Sequence, residues 1–114
     1  MIKEGTIMVI SQNVIGNDVA LGEILMKSFI GVLNESADLP DTIIFYNSAV
    51  KLCVEEGQIL DDLKSIESKG VEILSCGTCL GHYEMKEKLK VGKVSNMYDI
   101  VAKQMNAKSI IKPC

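Results

Sequence analysis

Aromatic side chains are scarce in this 114-residue chain, which has no tryptophan and only 4% Phe, Tyr and Trp in total. A core must therefore be packed by Ile, Val, Leu and six Met rather than by rings. An excess of positive charge is also missing. With 12 Lys and Arg against 15 Asp and Glu, the net charge is −3 and the pI about 5.1, which argues against a domain-wide footprint for nucleic acid or an anionic membrane. No apolar run approaches the roughly 18 residues of a membrane span, and Met1 to Gly5 opens toward a strand rather than a secretory signal. The expected location is the cytoplasm, where thiols are kept reduced. Four cysteines there are expected to be free, catalytic or metal-bound rather than cross-linked. Neither GxGxxG nor GxxxxGK[ST] occurs, so the loop Ser11 to Asp18 is not expected to cradle a nucleotide phosphate.

What is present reads as one domain over residues 1–114. An apolar fraction of 47% with 24% charged residues is that of a folded chain with its own core. Thr6 to Ile10 is a continuous apolar run and predicts a strand buried on both faces. Leu21, Ile24, Leu25, Phe29, Val32 and Leu33 recur at three- and four-residue spacing, which predicts a helix from Asp18 to Glu35 with that stripe facing inward. Pro40 and Asp41 punctuate the chain before a second strand, Thr42 to Tyr46. Ile59, Leu60, Leu63 and Ile66 mark a second helix that Gly70 stops, and Val71 to Leu74 is a third strand running into Cys76. A helix from about Thr78 to Leu89 and a brief strand near Val91 to Val94 come next. A further helix follows, marked by Met97, Tyr98, Val101 and Met105 and capped by Ser95 or Asn96, and Ser109 to Ile111 closes the chain as a strand. Alternating strands and helices over short connections predict a three-layer α/β/α sandwich around a mostly parallel sheet of about five strands. Strand order is left open.

In such a sheet, sites form beyond the carboxyl ends of the strands. The loops there hold Asn47, Ser48 and Cys53 after the second strand, and Cys76 and Cys79 after the third. Cys76 ends a strand and opens a helix, where free N–H groups favour a thiolate, the reactive form of the side chain. Cys79 lies one turn on and can resolve an adduct on Cys76. Gly77 lets another molecule approach the sulfur, and with Thr78, Asn47 and Ser48 it forms the expected substrate-binding set. The competing reading packs both cysteines as small hydrophobes. A zinc site would need Cys53, Cys114 or His82 to complete a single CxxC pair, so no metal and no cofactor is expected. His82 is either a polarising group or an exposed bystander, and Cys114 a mobile tail thiol. Lys86, Lys88, Lys90 and Lys93 form a basic cluster broken by Glu84 and Glu87, read as a solvated face or a dock for an acidic partner.

Three strings carry a likeness: Phe45 to Leu52 (FYNSAVKL), Ser75 to Leu80 (SCGTCL) and Val94 to Tyr98 (VSNMY). On these, the chain resembles the DsrE-like domain that forms the C-terminal half of YedF-type proteins of selenium metabolism. The resemblance implies a sulfur relay in which Cys76 accepts sulfur as a persulfide, with Cys79 belonging to the CxxC variant of the YedF type. It also implies self-association. Two-domain members carry an N-terminal sulfur-carrier domain, so here the donor is expected to be a separate protein, as is the acceptor. The leading expectation is a sulfurtransferase-like carrier of sulfur or selenium. The alternatives are a dithiol-disulfide oxidoreductase, disfavoured by the lack of a proline beside the CxxC, and a non-enzymatic oligomeric interaction module.

Overall fold

The computed structural model describes all residues from Met1 to Cys114. The elements are β1 (Ile2–Ile10), α1 (Val19–Glu35), β2 (Leu39–Phe45), a 3-10 segment (Asn47–Cys53), α2 (Gln58–Ser68), β3 (Glu72–Cys76), α3 (Gly77–His82), β4 (Lys93–Ser95), α4 (Met97–Met105) and β5 (Ser109–Ile111). All neighbouring strands pair in parallel, in the order β4-β3-β2-β1-β5. The chain steps in one direction from β1 to β4, so right-handed crossovers put α1 and α2 on the same face of the sheet. The return to β5, beyond β1, places α4 on the opposite face. The expected three-layer α/β/α sandwich is thus observed, with five strands, all parallel.

The two outer layers are unequal. On the α1 and α2 side, Met26, Ile30, Leu60, Leu63 and Ile66 pack on Met8, Ile10, Ile43, Phe45 and Ile73 in a cluster of 19 buried residues. On the other side Ile100 alone, from α4, closes a cluster of five with Ile7, Val9, Ile44 and Cys76. The helix caps follow the sequence: Asp18 accepts from Leu21 N–H and Asn96 from Asp99 N–H.

Several expectations are corrected. α1 buries Gly22, Met26 and Ile30, while Leu21, Ile24, Leu25 and Val32 are exposed. Gly22 sets this rotation, since a Cβ there would stand 2.8 Å from the Ile15 carbonyl oxygen, so only a glycine lets the helix lie against the Val14–Ile15 loop. On α4, likewise, Met97, Tyr98, Val101 and Met105 face outward and Ile100 faces in. β2 begins at Leu39, so Pro40 and Asp41 lie inside the strand rather than before it. They fit because β1 is shifted in register between Lys3 and Ile7, and Gly5, with φ +86°, turns its N–H to the Asp41 carboxylate at 2.7 Å. α3 is only six residues long, against the twelve expected from Thr78 to Leu89. Glu84, at φ +57°, ends it in a Schellman closure in which Met85 N–H reaches the Leu80 carbonyl and Glu84 N–H that of Gly81. Introducing a methyl group by Gly22→Ala should cost about 1–3 kcal/mol. Thermal melting should show this as a midpoint lowered by several degrees, and an unchanged midpoint would mean that the α1 contact is not tight.

Candidate functional site

At the carboxyl end of β2 the backbone makes an unusual turn. Asn47 takes a left-handed conformation, φ +50°, which Asn tolerates better than most residues. Its N–H points at the Cys79 sulfur, 3.1 Å away. The Asn47 side-chain oxygen accepts from Ser48 N–H at 2.8 Å and from the Tyr83 hydroxyl at 3.5 Å, and the Ser48 hydroxyl accepts from Asn13 N–H at 3.1 Å. The loops after β1 and β2 and the helix after β3 are thus tied into one rim. Tyr83 follows Cys79 by four residues, the spacing that puts two side chains on one helix face. Its ring takes the Lys51 ammonium at 4.5 Å from its centroid and stands edge-on to His82.

Asn47, Thr78, Cys79, His82 and Tyr83 line a hollow of about 350 Å³. Cys79 is half-buried in its wall. Cys76 caps the start of α3 with no side-chain hydrogen bond and is only 2% exposed, packed with Ile7, Val9, Ile44 and Ile100 on the α4 side of the sheet. The neighbouring Cys76 adds to the burial that pushes the Cys79 thiol above its ordinary range. Burial is the largest cause, the Asn47 N–H opposes it, and Cys76 reinforces it. With only six residues in α3, the thiol's anion-stabilising donor is the Asn47 amide rather than a long helix dipole.

The expected site residues therefore divide. Cys79, Thr78 and Asn47 line the hollow, and Ser48 supports Asn47 from behind. Gly77 is buried against β4, where a Cβ would meet the Ser95 carbonyl oxygen at 2.9 Å, so its small size serves packing. His82 lines the hollow. Cys53 lies on the far side of the sheet, fully buried, and its thiol is pushed up to about 12 by burial. The Ser75 hydroxyl beside it offers weak relief but is itself buried without a well-formed hydrogen bond. Cys114 is half-buried and held, its sulfur donating to the Gln12 carbonyl at 3.7 Å and its own carbonyl accepting from Ser11, so the tail is anchored rather than mobile. It occupies the switch between β1 and β5, the crevice where ligands commonly sit in open α/β sheets.

No three His, Cys, Asp or Glu side chains converge tightly enough to hold a metal ion. Three larger hollows, of about 570, 580 and 500 Å³, contain no thiol. In the first, beneath α4, Lys103 and Lys93 both pair with Glu72, at 2.8 and 3.8 Å. Of the basic cluster, Lys90 pairs with Glu56 and Lys93 with Glu72. No helix is long and apolar enough to cross a membrane. Sequence reading missed Lys51 and Tyr83 as site residues; only Tyr83 left a signal, in its spacing from Cys79.

No family model matches the chain, and no curated protein sequence does. Solved structures do. The YchN protein from E. coli superposes with a TM-score of 0.70 over 94% of this chain and 97% of its own, at 14% identity. MTH1491 of Methanobacterium thermoautotrophicum, a protein of unknown function, superposes with a TM-score of 0.66 over 95% and 97%, at 18% identity. The fold is DsrE-like. At such identities the likeness carries the architecture and no residue roles, so the DsrE-like scaffold leaves the chemistry to the geometry above.

Two measurements probe this site. Unfolding releases the Cys53 proton near the ordinary thiol value of 9.0, whereas the folded chain keeps it to about 12. Stability is therefore whole below pH 9 and falls as pH rises toward 12, by up to about 4 kcal/mol from this group. Urea midpoints across that range should fall less steeply in Cys53→Ala, and equal slopes would rule this out. Replacing Asn47 by Val, which resists the left-handed backbone, should withdraw the N–H from Cys79 and move its alkylation to higher pH, while Asn47→Gly stays near the parent. A Val variant that titrates like the parent would remove the amide from the account.

Proposed function

We propose that this DsrE-like domain is a sulfurtransferase-like carrier of sulfur or selenium whose entry point is Cys79 and whose resolving thiol is Cys76. The observation that carries the reading is one thiol in a polar hollow with a second, buried thiol three residues before it, at the start of the same helix. The burial of Cys76 favours this order over the reverse order expected from the sequence, because a donor must reach the accepting sulfur. The Cys79 thiolate attacks the outer sulfur of a donor persulfide, a Cys79 persulfide forms, and the donor departs as a thiolate that takes up the proton. Cys76, as thiolate, then attacks the Cys79 sulfur. The Cys76–Cys79 disulfide forms, hydrosulfide or hydroselenide leaves with the electron pair, and an external thiol reductant resets the pair. The persulfide can instead pass intact to an acceptor thiolate.

Kinship with the C-terminal half of YedF-type proteins, separate donor and acceptor proteins and a cytoplasmic setting belong to this reading. So does self-association. It is supported by the outward apolar stripes on opposite faces of the molecule, Leu21, Ile24, Leu25 and Val32 on α1 and Met97, Tyr98, Val101 and Met105 on α4. The same proximity of thiols supports dithiol-disulfide exchange as the second reading.

Mass spectrometry of reduced protein treated with a persulfide donor, R–S–SH, and separately with its selenium analogue, R–S–SeH, tests the assignment. Cys79→Ser should abolish loading, and Cys76→Ser should trap the added atom on Cys79. Loading that persists in Cys79→Ser and maps to Cys76 would reverse the roles. A Cys76–Cys79 disulfide formed without any chalcogen adduct would favour the oxidoreductase.

A further inference from the structure

The hollow at Cys79 has no carboxylate in its wall, although the chain as a whole carries a net charge of −3. Its lining is the Asn47 amide, the Thr78 hydroxyl, the His82 imidazole, the Tyr83 phenol and the thiol itself. On the Tyr83 ring stands the Lys51 ammonium, 4.5 Å from the centroid, and none of the chain's four ion pairs includes it. Lys51 and Asn47 come from the same 3-10 segment, and Tyr83 touches both, through its ring and through its hydroxyl. A lysine held by an aromatic face and left without a counter-anion is a positive charge beside a ring that lines the hollow. The chain has no arginine, so a bidentate clamp is not available and recognition of an anion here rests on a point charge and hydroxyl and amide donors.

From this juxtaposition we infer that the Cys79 hollow takes a small anionic sulfane-sulfur compound directly, thiosulfate being the simplest, with Lys51 setting the preference for negative charge. The inference rests on the carrier reading and names its donor class. The Cys79 thiolate attacks the outer sulfur of thiosulfate, a sulfur–sulfur bond to Cys79 forms, and the bond between the two sulfur atoms of thiosulfate breaks. Sulfite leaves with the electron pair. No outside oxidant or reductant is needed for this step, and Cys76 can then release the sulfur as described above. A thiolate and a dianion repel each other, so a positive charge on the Tyr83 ring that lines the hollow acts on the encounter itself, with salt screening it over a Debye length of about 8 Å at physiological strength.

Iodoacetate and iodoacetamide react at the same sulfur and differ in charge, so their rate ratio at Cys79, followed by peptide mass, reads the field in the hollow. Lys51→Gln should lower that ratio about fivefold at low salt with the iodoacetamide rate unchanged, and Lys51→Arg should restore it. Lys86 provides the control, because its stem lies against Gly81, on the side of α3 turned away from Cys79, and Lys86→Gln should leave the ratio as it is. In parallel, thiosulfate should put one sulfur on Cys79 with one sulfite released, more slowly in Lys51→Gln. Cysteine hydropersulfide serves as the comparison donor. Loading from the hydropersulfide but not from thiosulfate overturns the inference and leaves the carrier standing, whereas loading from neither overturns both. A ratio that Lys51→Gln leaves unchanged removes Lys51 from the selection and overturns the inference as well.

Discussion

The hydrogen bond from the Asn47 amide to the Cys79 sulfur joins two strands' ends that are remote in sequence, and the thiol site depends on it. Extended Tyr46 presents the Asn47 N–H at the end of β2, and the left-handed backbone at Asn47 turns the chain away behind it. From the same residue the side-chain oxygen reaches Ser48 and Tyr83, and Ser48 in turn holds the loop after β1. One strained residue thus fixes the sulfur's donor, one wall of the hollow and the alignment of three loops.

Burial and the amide act on Cys79 in opposite directions. Partial burial and the neighbouring Cys76 hold the proton on, while the amide favours the thiolate. The result is a thiol that is less ionised than a free cysteine but has a donor aimed at it. Cys53 shows burial without such an aimed donor: enclosed by the main core, it keeps its proton to about 12 and contributes packing. All four cysteines lie at or beyond the carboxyl ends of strands, yet only Cys79 lines a hollow that also carries donors.

The lopsided layers explain a second feature. α1 and α2 seal one face of the sheet with a deep core, and α4 seals the other with Ile100 alone. Apolar side chains that periodicity assigned to the interior instead stand outside on both helices.

Much of this was legible in the chain itself. Continuous apolar runs marked the buried strands, Asp18 and Asn96 announced their helices, and Cys76-Gly77-Thr78-Cys79 marked a strand-to-helix turn, because these depend on local propensity and on neighbours a few residues away. The inward face of α1, the early end of α3, the strand order and the accessible cysteine were not legible. A Gly22 contact with the Val14–Ile15 loop rotates α1, a left-handed Glu84 stops α3, and the packing of Ile100 over Cys76 leaves Cys79 as the sulfur in the hollow. Each is settled by atoms brought together from separate elements, so periodicity and spacing could name the two thiols, but only the assembled sheet and helices decided which of them lines a hollow and which is buried.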